Sequence, residues 1–236
     1  MNKEFANNKE EIVTTKQEIF DSFNDFIFSN DTKIMAKLIA RVNLFNKTLD
    51  VPGDILECGV FKGSGIMSWL KIKKILSPNS FKKVVGFDMF NDTKLLNTLH
   101  YEDKEMMGKL FSNRNFSFTS IFKNDLKKTL EDSNFYENYD FELIEGDVCD
   151  TSKQYVKERV GAKISILYMD LDLEKPTYEA LNNFWERVSK GGMVVFDEYG
   201  YHQWSESVGV DKFVSEKNLT IKTLDFNAPT AYIIKE

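Results

Sequence analysis

Short apolar runs recur along most of the chain, and they constrain its fold more than any other feature. The runs lie at residues 55–60, 83–88, 141–147, 164–170 and 192–197. Continuous apolar runs of this length are typical of strands that are buried on both faces. Segments with helical spacing, such as 64–76 and 176–189, separate them. The alternation predicts an α/β fold, with a doubly wound, mostly parallel sheet covered by helices on both sides.

Each apolar run has an acidic residue at or near its carboxyl end. These residues are Glu57, Asp88, Asp147, Asp170 and Asp197. In open α/β sheets, ligands bind in the crevice outside the carboxyl ends of the strands. We therefore expect the five acids to converge on one edge of the sheet and to define a ligand site there.

The turn after the first run reads Glu57-Cys58-Gly59-Val60-Phe61-Lys62-Gly63-Ser64-Gly65. Its glycines let the backbone approach a ligand, and the helix that follows points free N–H groups towards it. The spacing Glu-x-Gly-x-x-x-Gly differs from the Gly-x-Gly-x-x-Gly of dinucleotide-binding proteins. Glu57 can accept a hydrogen bond from an ammonium group, which S-adenosylmethionine (SAM) has and a pyrophosphate lacks. A strand-to-helix turn that uses glycine without binding a ligand is the alternative.

Two further acids suit the nucleoside part of such a ligand. Asp88 ends the second run, where a carboxylate can accept both hydroxyls of a ribose. Asp147 ends the third run, where it can face an adenine amino group. An aspartate that is simply solvated in a loop is the alternative for Asp88.

Carboxylates at the ends of the fourth and fifth runs predict a metal site. They occur in Met169-Asp170-Leu171-Asp172 and in Phe196-Asp197-Glu198-Tyr199. Hard oxygen ligands of this kind suit Mg²⁺, which keeps water or substrate oxygens in its shell. Clustered carboxylates repel one another, so a cation is the simpler account. Acids that are satisfied by helix N-termini or by lysine are the alternative.

The chain has two histidines, and His202 closely follows the second acidic motif. An imidazole there is a candidate general base near neutral pH. An ordinary exposed loop histidine is the alternative.

The charge balance and the cysteine count exclude several classes of protein. The chain has 31 basic and 37 acidic side chains and a formal net charge of -6, which argues against nucleic acid or an anionic membrane as the principal partner. Two cysteines are too few for a disulfide framework, and neither a signal peptide nor a membrane span is apparent. A cytoplasmic location is therefore expected.

The apolar pattern also predicts how the chain is divided. Residues 1–50 have helical spacing and predict an N-terminal helical cap, and residues 51–236 hold the strands. Within that domain the polar stretch 89–137 is predicted to be a lid or insertion beside the ligand edge. Two β-prone runs, 219–224 and 230–234, predict a C-terminal antiparallel hairpin. The two regions are expected to form a single structural unit.

Three stretches together resemble the macrocin O-methyltransferase (TylF/MycF-like) family of class I SAM-dependent methyltransferases. They are Val51 to Gly63, Met169-Asp170-Leu171-Asp172-Leu173, and Ser189 to Gly200. The family acts on sugar hydroxyls of antibiotics and related glycosides, and its members commonly form homo-oligomers. The resemblance implies a Rossmann-like methyltransferase fold for this chain.

The resemblance also implies roles for individual residues. Glu57, Gly59, Gly63 and Ser64 would hold the amino-acid part of SAM, Asp88 the ribose, and Asp147 with Val148 the adenine. Asp170, Asp197 and Glu198 would bind Mg²⁺, and Asp170 would also receive the proton of the acceptor hydroxyl.

The chain departs from the family pattern at three places. Glu198 stands where the family usually has a second aspartate, and Glu174 stands where it tends to have an aromatic residue. The stretch 88–115 lacks the usual Gly-Leu-Pro or Gly-Met-Pro continuation, so an acceptor other than a macrolide is expected.

These observations predict a SAM- and Mg²⁺-dependent O-methyltransferase that acts on a hydroxyl of a sugar or of a glycosylated small molecule. A metal-independent methyltransferase with another acceptor and a non-catalytic SAM-binding module are the alternatives. A dinucleotide-dependent oxidoreductase is disfavoured by the glycine spacing.

Overall fold

The computed structural model describes residues 17–91, 94, 103–105, 107–108, 123–132 and 140–236. The chain divides into two compact units, residues 1–35 and 36–236. The first unit includes helix α1 (Gln17–Phe28), and helix α2 (Lys33–Lys47) spans the division between the units. The boundary of the predicted cap at residue 50 stays a prediction. Most of the predicted lid, 89–137, lies outside the described residues.

The described residues of the second unit include a seven-stranded sheet with the order β3-β2-β1-β4-β5-β7-β6. Its strands are β1 (Asp54–Cys58), β2 (Val84–Asp88), β3 (Phe141–Glu145), β4 (Ile164–Met169), β5 (Val188–Phe196), β6 (Lys222–Thr223) and β7 (Ala231–Ile234). Strands β1 to β5 are parallel, whereas β7 is antiparallel to β5 and to β6. The predicted mostly parallel sheet and its C-terminal antiparallel pair are confirmed.

Helices lie between successive parallel strands. They are α3 (Ser64–Leu76), α4 (Lys123–Asp132), α5 (Val148–Glu158) and α6 (Glu174–Phe184), and α7 (Glu206–Lys217) follows β5. The predicted helix at 64–76 has the predicted bounds. Helix α7 was not predicted from the sequence, because its apolar positions are not confined to one face: Val210 and Phe213 are buried, but Val208 is 54% exposed.

Two hydrophobic clusters fill the space on either side of the sheet. Side chains alternate between the faces along each strand, so Ile55 contributes to one cluster and its neighbour Leu56 to the other. The first cluster includes Phe184 of α6, and the second includes Trp69 of α3. Helices on both faces define the doubly wound class.

Strand β5 begins four residues earlier than the sequence pattern predicts, at Val188 instead of Gly192. The predicted helix 176–189 ends as α6 at Phe184, and a 3₁₀ turn, Trp185–Arg187, leads into the strand. The pairing of β4 with β5 shifts register between Ile164 and Ile166. The first half of β5 is polar and contains glycine, so the apolar pattern does not predict it as a strand. It is nevertheless paired with β4, with an irregular register.

Strand β1 lies between β2 and β4, so the chain order reverses direction beside it. This is the topological switch point of an open α/β sheet, and ligands bind outside the carboxyl ends of the strands there. The carboxyl ends of β1 and β4 consequently mark the candidate site. Among the described residues, no helix is both long and apolar enough to cross a membrane.

Candidate active site

The sheet brings the residues after β1, β2, β4 and β5 together at one edge. The N–H of Gly59 donates to the Phe87 carbonyl at 2.9 Å, and the N–H of Asp170 donates to the Cys58 carbonyl at 2.8 Å. The N–H of Asp197 in turn donates to the Met169 carbonyl at 2.9 Å. These bonds continue the ladder by one residue past the strands, so the predicted site residues lie in adjacent rows.

Two glycines of the glycine turn have a positive φ angle, which favours glycine at both positions. Gly59 has a φ of 92°, and a Cβ atom there would overlap the carbonyl oxygen of Asp170. Gly63 has a φ of 85°, precedes α3, and donates its N–H to the Val60 carbonyl at 2.9 Å. Ser64 is exposed as the first residue of α3. The turn therefore presents a helix N-terminus at the edge of the site, as the sequence predicts.

The Glu57 carboxylate lies beneath this turn, and its side chain is 2% exposed. Its Oε2 atom accepts a 2.7 Å hydrogen bond from Nε1 of Trp69 and lies 3.6 Å from Nη2 of Arg41. A Cβ atom on Gly65 would overlap this carboxylate. Burial raises the pKa of Glu57, and the charge of Arg41 opposes that shift. The structure therefore places Glu57 next to the predicted SAM turn, already engaged by two partners.

Asp88 closes the same turn from the end of β2. Its Oδ2 atom accepts hydrogen bonds from the N–H groups of Val60 and Phe61, both at 2.8 Å. Its Oδ1 atom accepts a third, from the N–H of Phe90 at 2.8 Å. Three backbone donors fix the carboxylate against the glycine turn, and a lone pair on Oδ1 is left for a ligand hydroxyl.

Asp147 is the N-cap of α5, and its Oδ1 atom accepts a 2.9 Å hydrogen bond from the N–H of Cys149. Val148, the first residue of α5, is buried. The preceding Gly146 donates its N–H to the carbonyl of Asp88 at 2.9 Å, which joins this loop to the end of β2. The loop that carries Asp147 and Val148 thus lies beside the end of β2, and the adenine role of these two residues stays a prediction.

An ion-paired cluster occupies the carboxyl ends of β4 and β5. The Lys37 ammonium nitrogen lies 2.7 Å from Oδ2 of Asp197 and 3.2 Å from Oδ2 of Asp170. The Tyr168 hydroxyl donates to Oδ1 of Asp197 at 2.5 Å. Arg41, one helical turn after Lys37 on α2, lies over the Tyr168 ring at 4.6 Å. One face of α2 therefore supplies both basic groups.

Sequence reasoning identified the acids of this cluster but missed Lys37, Arg41 and Tyr168. A lysine and an arginine four residues apart on an amphipathic helix are ordinarily solvated, so their spacing gave no distinctive signal. The signal that could have found them is the surplus of acids at the sheet edge, which requires basic partners from elsewhere in the chain.

The electrostatics of the cluster follow from its burial. Burial and the charge of Asp197 raise the pKa of Asp170, and the ammonium of Lys37 opposes this. Burial lowers the pKa of Lys37, but the charges of Asp170 and Asp197 outweigh it and raise that pKa overall. Burial and the charge of Asp197 raise the pKa of Tyr168, so its hydroxyl remains a donor.

Two more carboxyl groups, those of Asp172 and Glu206, act on the pair. Asp172, which has a φ of 64°, and the buried Glu206 interact electrostatically with both Asp170 and Asp197. Oε1 of Glu206 accepts a hydrogen bond from the N–H of Glu198 at 3.3 Å. Burial and the charge of Asp172 raise the pKa of Glu206. Glu206 thus holds the backbone at Glu198, a role with no sequence motif.

The donor set fits Mg²⁺ through the Asp170–Asp197 pair. Among the described residues, no three His, Cys, Asp or Glu side chains converge closely enough to hold a metal ion. Mg²⁺ is commonly bound by one or two carboxylates, with water and substrate oxygens completing its shell. The two aspartates already direct one oxygen each at a common cationic group. Glu198 directly follows Asp197 and is buried. Within the part of the chain that the structure describes, it does not form a preformed three-carboxylate metal site with Asp170 and Asp197.

His202 lies in the loop between β5 and α7, where its side chain is exposed. Among the described contacts, none joins His202 to the Asp170–Asp197 pair. His100 lies outside the described residues. The catalytic role of His202 stays a prediction.

A doubly wound sheet with an antiparallel final strand, a glycine turn after β1 and an acid after β2 defines the class I SAM-dependent methyltransferases. The chain belongs to one family within that class. The model of the family described as Macrocin-O-methyltransferase (TylF) matches residues 31–233. The protein is therefore a SAM-dependent O-methyltransferase.

Solved structures agree with this fold. The chain is similar to apo CalS11, a TDP-rhamnose 3'-O-methyltransferase in calicheamicin biosynthesis, with 24% identity, a TM-score of 0.69, and coverage of 95% of this chain and 86% of that one. It is similar to the O-methyltransferase NovP, with 19% identity, a TM-score of 0.68, and coverage of 85% and 79%. An O-methyltransferase from Bacillus cereus in complex with SAH matches with 12% identity, a TM-score of 0.51, and coverage of 94% and 100%. Comparison with curated protein sequences gave no match.

Proposed function

We propose that the protein transfers the methyl group of SAM to a hydroxyl of a sugar or of a glycosylated small molecule, and that it requires Mg²⁺. The observation that carries the proposal is the convergence of Asp170 and Asp197 on one cationic group beside the glycine turn. CalS11, with a similar fold, acts on TDP-rhamnose, which supports a nucleotide-linked deoxysugar as the first acceptor class to test.

In this proposal the SAM site follows the ends of β1, β2 and β3. Gly59, Gly63 and Ser64 hold the amino-acid end through backbone groups, and Glu57, beneath the turn, is the acid proposed for the ammonium group of SAM. Asp88 accepts a ribose hydroxyl through Oδ1, which accepts one backbone N–H and keeps capacity for another donor. Asp147 and Val148 flank the adenine at the start of α5.

Asp170, Asp197 and Glu198 would hold the metal, and Asp170 would accept the proton that the acceptor hydroxyl loses when it takes the methyl group. When bound, Mg²⁺ lowers the pKa of a coordinated hydroxyl and orients it. Tyr168 fixes Asp197 through the bond to Oδ1, which leaves Oδ2 directed at the cation. The chain contributes mainly by holding donor and acceptor in line and by compensating charge. His202 is retained as a second candidate base.

The test uses Asp197→Asn, which preserves the side-chain volume but removes its charge. The wild-type protein is incubated with SAM and a panel of TDP-deoxysugars and glycosides, with Mg²⁺ or with a chelator, and mass spectrometry detects methylated product. We expect product only with Mg²⁺, and a fall of at least about a hundredfold in Asp197→Asn, because the metal-held hydroxyl is lost. Asp50→Asn is the matched control, because Asp50 is exposed and precedes the opposite, amino end of β1.

A metal-independent methyltransferase is the second candidate, and one observation favours it. The ammonium of Lys37 already compensates Asp170 and Asp197 without a metal. This candidate predicts full turnover in chelator. Unchanged activity of Asp197→Asn, with unchanged metal dependence, would remove the metal assignment.

The remaining proposals concern the setting of the enzyme. We propose a homo-oligomer in the cytoplasm, with a small-molecule acceptor and with neither nucleic acid nor a membrane as partner. Sedimentation of the purified protein tests the oligomeric state. A monomer at all concentrations would contradict that part of the proposal.

A further inference from the structure

The position of Lys37 suggests how metal binding is controlled, and this inference rests on the proposed use of a metal. Its ammonium nitrogen lies within hydrogen-bonding distance of one oxygen from each of Asp170 and Asp197. These are the two oxygens that would contact a divalent cation held between the same carboxylates. An ammonium and a metal ion cannot occupy this position together, because both would need the same two oxygens.

The charge of the cluster is not balanced by Lys37 alone. The charges of Asp170, Glu198 and Asp197 act on Asp172, and the ammonium of Lys37 opposes them. Glu206 adds a further buried carboxyl group, and its Oε2 atom has no hydrogen-bond partner among the described residues. The charge of Arg41 also acts on Asp170, but the carboxyl groups still outnumber the two cations, and a divalent cation would compensate more of their charge.

Lys37 is also suited to leave. Its side chain is 24% exposed, whereas that of Arg41, one turn later, is 6% exposed. Lysine carries a compact charge on a flexible stem of four carbons, which can move to water without any movement of the helix. Arg41 is fixed between Glu57 and the rings of Tyr168 and Trp69. The two basic residues of α2 thus differ in exposure and in the number of groups that hold them.

We infer that Lys37 is a displaceable internal counterion: its ammonium holds Asp170 and Asp197 together before metal binds, and the arriving divalent cation drives it out towards solvent. The two aspartates therefore have a cationic partner in both states. Metal affinity is set by competition between the cation and a side chain of the same chain.

The first experiment measures Mn²⁺ binding, as a probe for Mg²⁺, by electron paramagnetic resonance in the absence of SAM and acceptor. In Lys37→Met the competitor is removed, so we expect Mn²⁺ to bind at least about tenfold more tightly than in the wild type. Lys37→Arg keeps a cation and should not gain affinity. Lys74→Met, an exposed lysine on α3, is the matched control and should bind Mn²⁺ as the wild type does.

The second experiment uses the wild-type protein and does not depend on any variant folding. Lysine residues are acetylated for short times with and without Mg²⁺, and mass spectrometry reports the rate at each site. We expect Lys37 to react several-fold faster when Mg²⁺ is present, because its ammonium has left the carboxylates. Labelling of Lys74 should not change.

The outcomes separate this inference from the proposed function. Equal Mn²⁺ affinity in the wild type and Lys37→Met, or unchanged labelling of Lys37 while Mn²⁺ is bound, overturns the counterion role and leaves the metal-dependent function intact. Failure of Mn²⁺ to bind to either protein overturns the metal-dependent function, and the counterion inference with it. Tighter binding in Lys37→Met together with faster labelling supports both.

Discussion

The indole of Trp69 donates a 2.7 Å hydrogen bond to the carboxylate of Glu57, from the first helix after the glycine turn back to the strand before it. The bond is buried, and it ties β1 to α3 beneath the predicted SAM site. Because the Glu57 side chain is 2% exposed, water does not replace a donor that is removed.

Trp69→Phe should therefore reduce the free energy of unfolding by more than the loss of ring volume explains. We expect the Trp69–Glu57 interaction to contribute about 1.5–3 kcal/mol, the usual range for a hydrogen bond to a charged group. A double-mutant cycle with Glu57→Gln, measured by urea denaturation, isolates that interaction. A coupling energy near zero would contradict it.

Asp88→Asn should weaken SAM binding and also loosen the turn. The substitution replaces one carboxylate oxygen by an NH₂ group, which cannot accept from the N–H groups of Val60, Phe61 or Phe90. A hydrogen bond from a ribose hydroxyl of SAM to the charged Asp88 carboxylate would contribute about 1.5–3 kcal/mol. We therefore expect SAM affinity to fall by roughly 10- to 100-fold when that charge is removed. Calorimetry with SAM measures this, with Asp50→Asn as the control. Wild-type affinity in Asp88→Asn would refute the assignment.

Gly59→Ala should be among the most destabilising single substitutions in the chain. The residue has a φ of 92°, and the added Cβ would overlap the Asp170 carbonyl oxygen. We expect a loss of about 3 kcal/mol or more, because strained backbone and a steric overlap occur together. Gly161→Ala is the matched control, since a Cβ at Gly161 meets nothing within 4 Å. Similar melting temperatures for the two variants would be inconsistent with the turn geometry.

Alkylation of Cys149 should be slow at moderately alkaline pH. Burial, hydrogen bonding to Asp147 and the charge of Asp147 raise the pKa of this thiol from 9.0 to about 12. At pH 8.5 we therefore expect iodoacetamide to react roughly a thousandfold more slowly with Cys149 than with an unperturbed thiol, because only the thiolate reacts. Asp147→Asn should accelerate the reaction. Equal rates in the two proteins would contradict the role of Asp147.

The raised pKa of Cys149 also makes the free energy of unfolding depend on pH. The folded state retains the Cys149 proton to about pH 12, whereas the unfolded thiol loses it near 9.0. The folded state thus binds more protons in this window, and its free energy of unfolding falls as pH rises from about 9 to 12. Urea denaturation of the wild type and of Cys149→Ser across that range measures this contribution. The stability of the wild type relative to Cys149→Ser should fall as pH rises, because the unfolded thiol ionises while the folded thiol stays protonated.

The parts of the fold that the sequence predicted are those with a local signature. The runs that became β1 and β4 are continuous and apolar, and Ser64 to Leu76 has helical spacing, so each element was visible in its own residues. The positions of Asp88, Asp170 and Asp197 followed because parallel strands end at one edge.

The partners of those acids were not predictable in the same way. Lys37 and Asp170 are separated by 133 positions, and a lysine on a mixed helix has no pattern that names its partner. The three N–H donors to Asp88 depend on backbone directions within the turn, which residue types alone do not specify. Glu206 lies in a helix whose apolar positions are not confined to one face, so neither the helix nor its buried acid was visible.

Helix α2 carries Lys37 and Arg41 one turn apart, and both lie before the first strand. A shortened protein that starts at residue 51 would keep every sheet acid but lose both of the cations that face Asp170, Asp197 and Glu57. Such a fragment would contain the whole recognisable methyltransferase core and still carry uncompensated charge in its interior. In evolutionary terms, a new N-terminal segment on this core would preserve the charge balance of the site if it brought basic groups to the same two positions.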